Sequence, residues 1–247
     1  MMTPVIKAIF KREFAAYFAT PLAYVFMVIF LMITGIFTFY MGSFYENGQA
    51  DLRSFFAFHP WLYLFLIPAV SMRLWSEERK SGTLELLLTL PVSPLAAIIG
   101  KYLAALAFIA LTLTLTAPMW LTVNYLGDPD NGVIMVGYLG SLLMAAAYLA
   151  IGSAMSAATK NQVIAFILTV SICFLFTVSG LPIVLDAFSG WSGKEVTLVI
   201  ANISFLTHFD SLQKGFVDAS DIVFFISIIV LWLGITRVII DSKREAG

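Results

Sequence analysis

Charged, histidine and cysteine side chains are scarce in this sequence. Charged residues make up 12% of the 247 positions, and the chain has two histidines, His59 and His208, and one cysteine, Cys173. One cysteine cannot form an intrachain disulfide, and the two isolated histidines are expected as interfacial polar residues rather than metal ligands. A formal net charge of -1 gives no reason to expect a basic face for nucleic acid. A disulfide scaffold, a metal enzyme and a nucleic-acid-binding domain are therefore disfavoured.

Sequence motifs for catalysis are also absent. A phosphate-binding loop requires G-x-x-x-x-G-K followed by Ser or Thr, but the two Gly-Lys pairs of the chain are followed by Glu195 and Tyr102. An H-E-x-x-H metal helix and a G-x-S-x-G nucleophile elbow are missing as well. We therefore expect a chain without enzymatic activity, with no metal site and no cofactor of its own.

Apolar residues are abundant: they account for 60% of the sequence, and the mean hydropathy is +0.94. A membrane-spanning helix needs about 20 apolar residues, whereas the strands of a membrane barrel give alternating segments of about 10. The apolar runs here are continuous, which predicts an all-α integral membrane protein with a single domain over residues 1–247. Six transmembrane helices are expected, at residues 21–42, 59–75, 97–125, 133–157, 163–185 and 221–240.

Cationic residues are distributed unevenly between the two sides that these spans define. Arg53, Lys194 and Lys214 fall on one side, and eleven cations fall on the other. Because Lys and Arg concentrate in cytoplasmic loops, the larger set marks the cytoplasmic side and places both termini there. The larger set comprises Lys7, Lys11, Arg12, Arg73, Arg79, Lys80, Lys101, Lys160, Arg237, Lys243 and Arg244.

Short helices are expected outside the spans. Residues 3–20 place apolar side chains on one helical stripe and Lys7, Lys11 and Arg12 on another, which predicts an amphipathic helix in the cytoplasmic interface. The alternative is a cytoplasmic extension of the first span, and both give the same topology. The outer loop 186–220 mixes apolar runs with charges at four-residue spacing, which predicts short helices at the outer surface.

Small residues recur at helical spacing in the fourth expected span. Such residues allow two helix backbones to approach closely, so they predict helix-packing faces. Packing against another span of the same subunit is favoured, and packing against a second copy stays open. Proline at positions 68 and 118 predicts kinks in the second and third spans. The packing stripes are Gly137, Ser141 and Ala145, and Ala146, Ala150 and Ala154.

The longest cytoplasmic loop on this topology, residues 76–94, is also the densest in charge. Gly82 permits a sharp turn, and TLELLLTL after it is long enough for two helical turns before Pro91. The leucines of this short helix share one face at helical spacing. The segment is interpreted either as a docking helix or as a solvated connector whose leucines enter the membrane interface.

This loop resembles the first cytoplasmic loop of type-2 ABC exporter permeases, through the sequence EERKSGTLELLLTLPVSP at residues 77–94. In that family the loop forms the coupling helix that docks on the ATPase. The resemblance extends over essentially the whole chain, and KREFAAYFATPLAYVF (11–26) and HFDSLQKGFVDASDIVFF (208–225) are similar to the Gld-type, gliding-motility-like branch. It implies that the ATPase-contact residues are Glu77, Glu78, Arg79, Gly82, Thr83, Leu84, Glu85, Leu87 and Leu88.

The resemblance implies a permease subunit of an ATP-driven transporter in the bacterial inner membrane. Two permease copies, forming a homodimer or a heterodimer, would work with a separate ABC ATPase that binds ATP and Mg²⁺. The Gld-type branch would add an accessory membrane protein with a periplasmic domain. The expected activity is substrate export or mechanical work. Two alternatives stay open: a non-transporting scaffold of an ABC-like complex, and a secondary transporter, which is disfavoured because the spans carry no ionisable group at the bilayer midplane.

Overall fold

The computed structural model describes residues 4–46, 48–85, 92–189 and 193–244, and these residues form helices and no strand. The first half of the chain contains α1 (Pro4–Phe18), α2 (Pro21–Ile36) continued by a π-helical turn (Phe37–Met41), α3 (Arg53–Ala57), α4 (His59–Ser71), α5 (Arg73–Ser81), α6 (Pro94–Thr114) and α7 (Ala117–Leu126). The second half contains α8 (Asn131–Ala158), α9 (Gln162–Val178), α10 (Pro182–Ser189), α11 (Gly193–Asn202), α12 (Phe205–Gln213) and α13 (Ala219–Arg244).

Local sequence accounts for where several helices begin and end. Pro21 and Pro94 stand at the first position of α2 and α6, where a proline costs no helical hydrogen bond. The carboxylate of Asp130 caps α8 by accepting from two backbone N–H groups of its first turn. α5 ends at Gly82, whose φ of 74° lies in the left-handed region that favours glycine.

Four helical segments are long and apolar enough to cross a membrane: Ala23–Met41, Pro94–Leu126, Asn131–Ala158 and Ala219–Lys243. A fifth candidate consists of Gln162–Val178 and Pro182–Phe188, if this pair, bent by 77°, is counted as one span. The described part of the chain is thus an all-helical protein with four or five candidate membrane spans.

Three of the six predicted spans are not single uninterrupted helices. The expected span 59–75 is interrupted at Met72, which leaves α4 with 13 residues and α5 with 9, and Pro68 lies inside α4. The expected span 163–185 bends between α9 and α10, where Pro182 lacks the N–H that a continuing helix needs. The expected span 97–125 is interrupted between α6 and α7, just ahead of Pro118, where a kink was predicted.

α8 is the central helix of the bundle. It packs against α4, α5, α6, α9, α12 and α13, and every residue from Met144 to Ile151 is buried. A helix that is apolar and buried on all sides forms the core of a bundle rather than one of its surfaces.

The small residues of α8 lie at its close contacts within the subunit. A Cβ added at Gly137 would lie 2.5 Å from the ring of Phe56, so the approach of α3 requires glycine there. Ser141 Oγ lies 2.8 Å from His59 Nδ1 and 2.6 Å from the hydroxyl of Tyr63. All six predicted packing positions are buried: Gly137, Ser141, Ala145, Ala146, Ala150 and Ala154.

Both histidines, expected as interfacial polar residues, are buried inside the protein. His59 is bonded to α8 as described, and His208 Nδ1 lies 2.7 Å from an oxygen of Asp221, while its Nε2 lies 2.9 Å from the carbonyl oxygen of Asn202. The polar partners come from other helices, and neighbouring residues in the sequence do not reveal them.

Candidate functional site

α5 has a buried face and an exposed face. Leu74, Trp75 and Ser76 are buried, whereas Glu77 and Lys80 are exposed. The helix begins directly after the interruption at residue 72 and ends at the left-handed glycine at residue 82. A short charged helix surface therefore lies outside the bundle, at the segment predicted to contact an ATPase.

Serine side chains of α8 hold the junction between α4 and α5. Ser156 Oγ accepts from the backbone N–H groups of Trp75 and Ser76, at 3.0 and 3.1 Å, and donates to the carbonyl oxygen of Met72 at 2.8 Å. The indole N–H of Trp75 donates to Ser153 Oγ at 3.1 Å. Buried backbone groups need partners, and one hydroxyl of α8 satisfies three of them. The start of α5 is therefore fixed to α8.

Arg79 joins α5 to the C-terminal end of α8. Its Nη1 donates to the carbonyl oxygen of Ala157 at 2.6 Å. The last carbonyls of a helix lack partners within the helix and form the negative end of its dipole, so a guanidinium is favourable there. This contact gives Arg79 a structural partner inside the subunit.

A buried lysine connects α5 to two other helices. Lys101 Nζ of α6 lies 2.9 Å from Glu78 Oε1 of α5 and 3.1 Å from Glu13 Oε1 of α1. Arg12 Nη2 adds a contact of 2.6 Å to Glu13 and a longer one of 3.9 Å to Glu78. The lysine is 3% exposed, and its ammonium lies 5.3 Å from the ring centroid of Trp75. We call Arg12, Glu13, Glu78 and Lys101 the ion cluster.

The ion cluster is held together by charge in a partly dehydrated site. Burial raises the pKa of the Glu13 carboxyl, but the Lys101 ammonium and the Arg12 guanidinium outweigh that effect, and the net pKa lies below its ordinary value. Glu13 is therefore ionised at neutral pH. Breaking a buried ion pair by removing one partner typically costs about 3–5 kcal/mol, because the other charge stays buried without compensation.

α1 reaches this cluster because it packs closely on α6. A Cβ added at Gly100, next to Lys101, would lie 2.7 Å from Ile9 of α1. The ring of Tyr17 stacks on Phe108 of α6 with centroids 4.9 Å apart. The ion cluster therefore lies where α1, α5 and α6 meet.

The predicted ATPase-contact residues divide into two groups. Glu78, Arg79 and Leu84 point into the protein: the first two make the contacts above, and Leu84 is buried. Glu77, Thr83 and Glu85 are exposed. Residues 86–91, which include the predicted contacts Leu87 and Leu88 and the predicted helix stop at Pro91, lie outside the described residues.

Sequence reasoning missed the partners of Lys101. The charge distribution assigns Lys101 to the cytoplasmic side and says nothing of Glu13 or Glu78. A signal was present, since Lys101 is the one charged residue in the run 97–125. A buried cation in an apolar helix requires an acidic partner, but only the packing of α1 and α5 on α6 identifies it.

Comparison with known proteins identifies the family of this chain. No curated protein matches the chain. A family model described as ABC-2 family transporter protein matches residues 7–239, which includes α5 and the ion cluster. The chain therefore belongs to the ABC-2 transporter family, the multi-pass membrane permease subunits of ABC transporters.

Proposed function

We propose that this chain couples ATP hydrolysis by a separate ATPase subunit to substrate export or mechanical work across the bacterial inner membrane. The observation that carries the proposal is the attachment of α5. Its exposed residues lie on a helix whose other face is bonded to α8 and, through Lys101, to α1 and α6. A displacement of the exposed face would therefore reach three helices of the bundle.

The proposed mechanism is mechanical, and residues of α5 and of the segment directly after it contribute by position. Glu77, Thr83 and Glu85 would form the ATPase contact, since they are exposed. Glu78 and Arg79 would carry the displacement inward, because their side chains are already bonded to α6 and α8. ATP and Mg²⁺ would bind in the partner ATPase, whose closure supplies the movement.

The proposed topology has six crossings with both termini in the cytoplasm. α4 and α5 together would supply the second crossing: the N–H of Met72 donates to the carbonyl oxygen of Pro68 at 2.9 Å, so helical hydrogen bonding continues across the interruption. α9 and α10 would supply the fifth. α1 would lie in the cytoplasmic interface, consistent with its three cations and with the turn at Pro21.

A test of this topology uses single cysteines in a Cys173→Ser background. Cysteines at Ser81 and Ser242, both exposed, should resist an impermeant thiol reagent applied to intact cells, whereas one at the exposed Ser220 should react. Labelling at position 81 together with protection at position 220 would invert the topology and place α5 on the wrong side for an ATPase.

The proposed assembly is a pair of permeases, most simply a homodimer, on two ATPase subunits. The Gld-type branch suggested by residues 11–26 and 208–225 would add an accessory membrane protein with a periplasmic domain. Pull-down of the tagged chain in mild detergent, with identification of co-purifying proteins by mass spectrometry, tests both. Recovery of no ATPase would contradict the proposed assembly.

The coupling proposal is tested by reversing the charges that face outward. Glu77→Lys combined with Glu85→Lys should reduce co-purification of the ATPase or its stimulated ATP hydrolysis by about tenfold, the effect of about 1.4 kcal/mol of lost interaction. Membrane levels should be unchanged, because neither glutamate belongs to the ion cluster. Glu195→Lys, at an exposed position of α11, is the matched control. Wild-type binding and hydrolysis in the double variant would show that α5 is only a connector.

A further inference from the structure

A cavity of about 340 Å³ lies beside the ion cluster. It is partly open and is lined by α1, the first turns of α2, the junction of α4 and α5, and the ring of Phe108 in α6. Binding sites for small molecules commonly have volumes of about 300–1,000 Å³, apolar walls and a few polar groups. The cavity therefore has the size and construction of a ligand site.

The lining of the cavity combines apolar and charged side chains. Its large apolar side chains are Tyr17, Phe26, Val70 and Phe108. Its charged side chains are Glu13, Arg73 and Glu77, which we call the rim. A phospholipid likewise combines a charged headgroup with apolar acyl chains.

The rim offers a donor and an acceptor side by side. Nε and Nη2 of Arg73 donate to the two oxygens of Glu77 at 3.0 and 3.2 Å, and among the described residues Arg73 hydrogen-bonds to Glu77 alone. A guanidinium has five N–H donors, so three remain for a phosphate group. The carboxylate of Glu77 is half-exposed and has further lone pairs for an ammonium group.

The charges of the side chains that line the cavity favour some lipid headgroups over others. The ionised side chains that line the cavity are one cation and two anions, Arg73 with Glu13 and Glu77. A headgroup with net negative charge is repelled by this net negative set. A zwitterionic headgroup places its phosphate at Arg73 and its ammonium at Glu77. A primary ammonium donates hydrogen bonds to the carboxylate, whereas a quaternary ammonium has no N–H to donate.

We infer that this cavity binds one phosphatidylethanolamine molecule, with its phosphate on Arg73, its ammonium on Glu77 and an acyl chain against Tyr17, Phe26 and Phe108. The bound lipid would join α1 to the junction of α4 and α5, next to the contacts that hold α5. The inference rests on the membrane location of the chain and not on coupling to an ATPase.

The test uses the full-length chain, purified in detergent, stripped of lipid and titrated in native mass spectrometry with dioleoyl phosphatidylethanolamine, phosphatidylglycerol or phosphatidylcholine. The wild-type chain should bind the ethanolamine lipid most tightly. Arg73→Gln should weaken that binding by about tenfold, the expected loss of a charge-assisted hydrogen bond. Arg237→Gln is the matched control, because Arg237 forms the same kind of i, i+4 pair with Asp241 away from the cavity and should leave the affinity unchanged.

Two variants fill the cavity from different helices. Ala16→Trp, at an exposed position of α1, and Ala69→Phe, on α4, should each abolish tight binding of the ethanolamine lipid. Equal affinity for the three lipids, equal losses in Arg73→Gln and Arg237→Gln, or retained binding in Ala16→Trp would each overturn the inference. No ATPase is present in this assay, so its outcome is independent of the coupling experiment.

Discussion

Replacing Lys101 by methionine removes the cation that joins α1, α5 and α6 while keeping most of the side-chain volume. In the wild type the ammonium lies 2.9 Å from Glu78 and 3.1 Å from Glu13, and the lysine is 3% exposed. In the variant the two carboxylates face each other with Arg12 as the remaining counter-charge of the ion cluster. Arg12 stays 2.6 Å from Glu13, but its side chain is 59% exposed and 3.9 Å from Glu78, so it compensates Glu78 poorly.

The expected cost follows from the burial of the carboxylates. Removing one partner of a buried ion pair costs about 3–5 kcal/mol. The side chains of Glu13 and Glu78 are 19% and 21% exposed, so water relieves part of the cost, and we expect about 3 kcal/mol. For a chain of this size each kcal/mol lowers Tm by about 2–4 °C, which gives a decrease of about 6–12 °C.

Thermal unfolding of the detergent-purified chain, followed by tryptophan fluorescence, measures this decrease. Lys160→Met, at an exposed position outside the ion cluster, is the control and should change Tm by less than about 2 °C. Combining Lys101→Met with Glu13→Gln and Glu78→Gln should recover most of the loss, because the one charge left in the ion cluster, Arg12, is 59% exposed and solvated by water. A Lys101→Met variant as stable as the control, or a triple variant no better than Lys101→Met, would refute the reasoning.

Three further predictions concern the same region. Folding lowers the pKa of Glu13, so the carboxylate contributes to stability above its ordinary pKa of 4.5, and this contribution is lost as the pH falls through the lower pKa of the folded state. We therefore expect the Tm to decrease when the pH is lowered below about 4.5, and to decrease less steeply in Glu13→Gln. Gly82→Ala should cost about 1 kcal/mol, since the position has φ 74° and no atom within 4 Å of an added Cβ; Gly35→Ala, in a helix with equally open space, should not destabilise in the same melting assay. Ser156→Ala leaves two buried N–H groups without their partner and should cost about 1–3 kcal/mol, whereas Ser171→Ala, whose hydroxyl bonds back to its own helix at an exposed site, should be neutral.

The lengths of the apolar runs predicted where helices lie, but they did not predict every helix interruption. Helices occupy all six predicted apolar runs, and their starts at Pro21 and Pro94 follow from proline itself. The interruption at Met72 and the 77° bend before Pro182 did not follow from run length. The first depends on a partner elsewhere, since Ser156 of α8 satisfies the backbone groups at that break. The second lies at Pro182, which lacks the N–H that a continuing helix needs.

In the candidate site, too, some features of the loop at residues 76–94 were predicted from the sequence and others were not. The sequence predicted the high charge density of this loop and a turn at Gly82. The left-handed φ of Gly82 agrees with the predicted turn. Which side chains of α5 face outward, such as Glu77, and which face inward, such as Glu78 and Arg79, could not be predicted, because this depends on which face of α5 meets α8 and α6.

The sequence alone determined that this protein lies in a membrane, that it is helical, and where several of its helices begin and end. Long apolar runs require a membrane and helices, and helix ends depend on local groups such as Pro94, Asp130 and Gly82. Only the tertiary structure decided which charges are paired. Lys101 meets Glu13 and Glu78 because three helices distant in the chain converge on one buried point, and such a meeting is set by packing, which leaves no periodic pattern in the sequence.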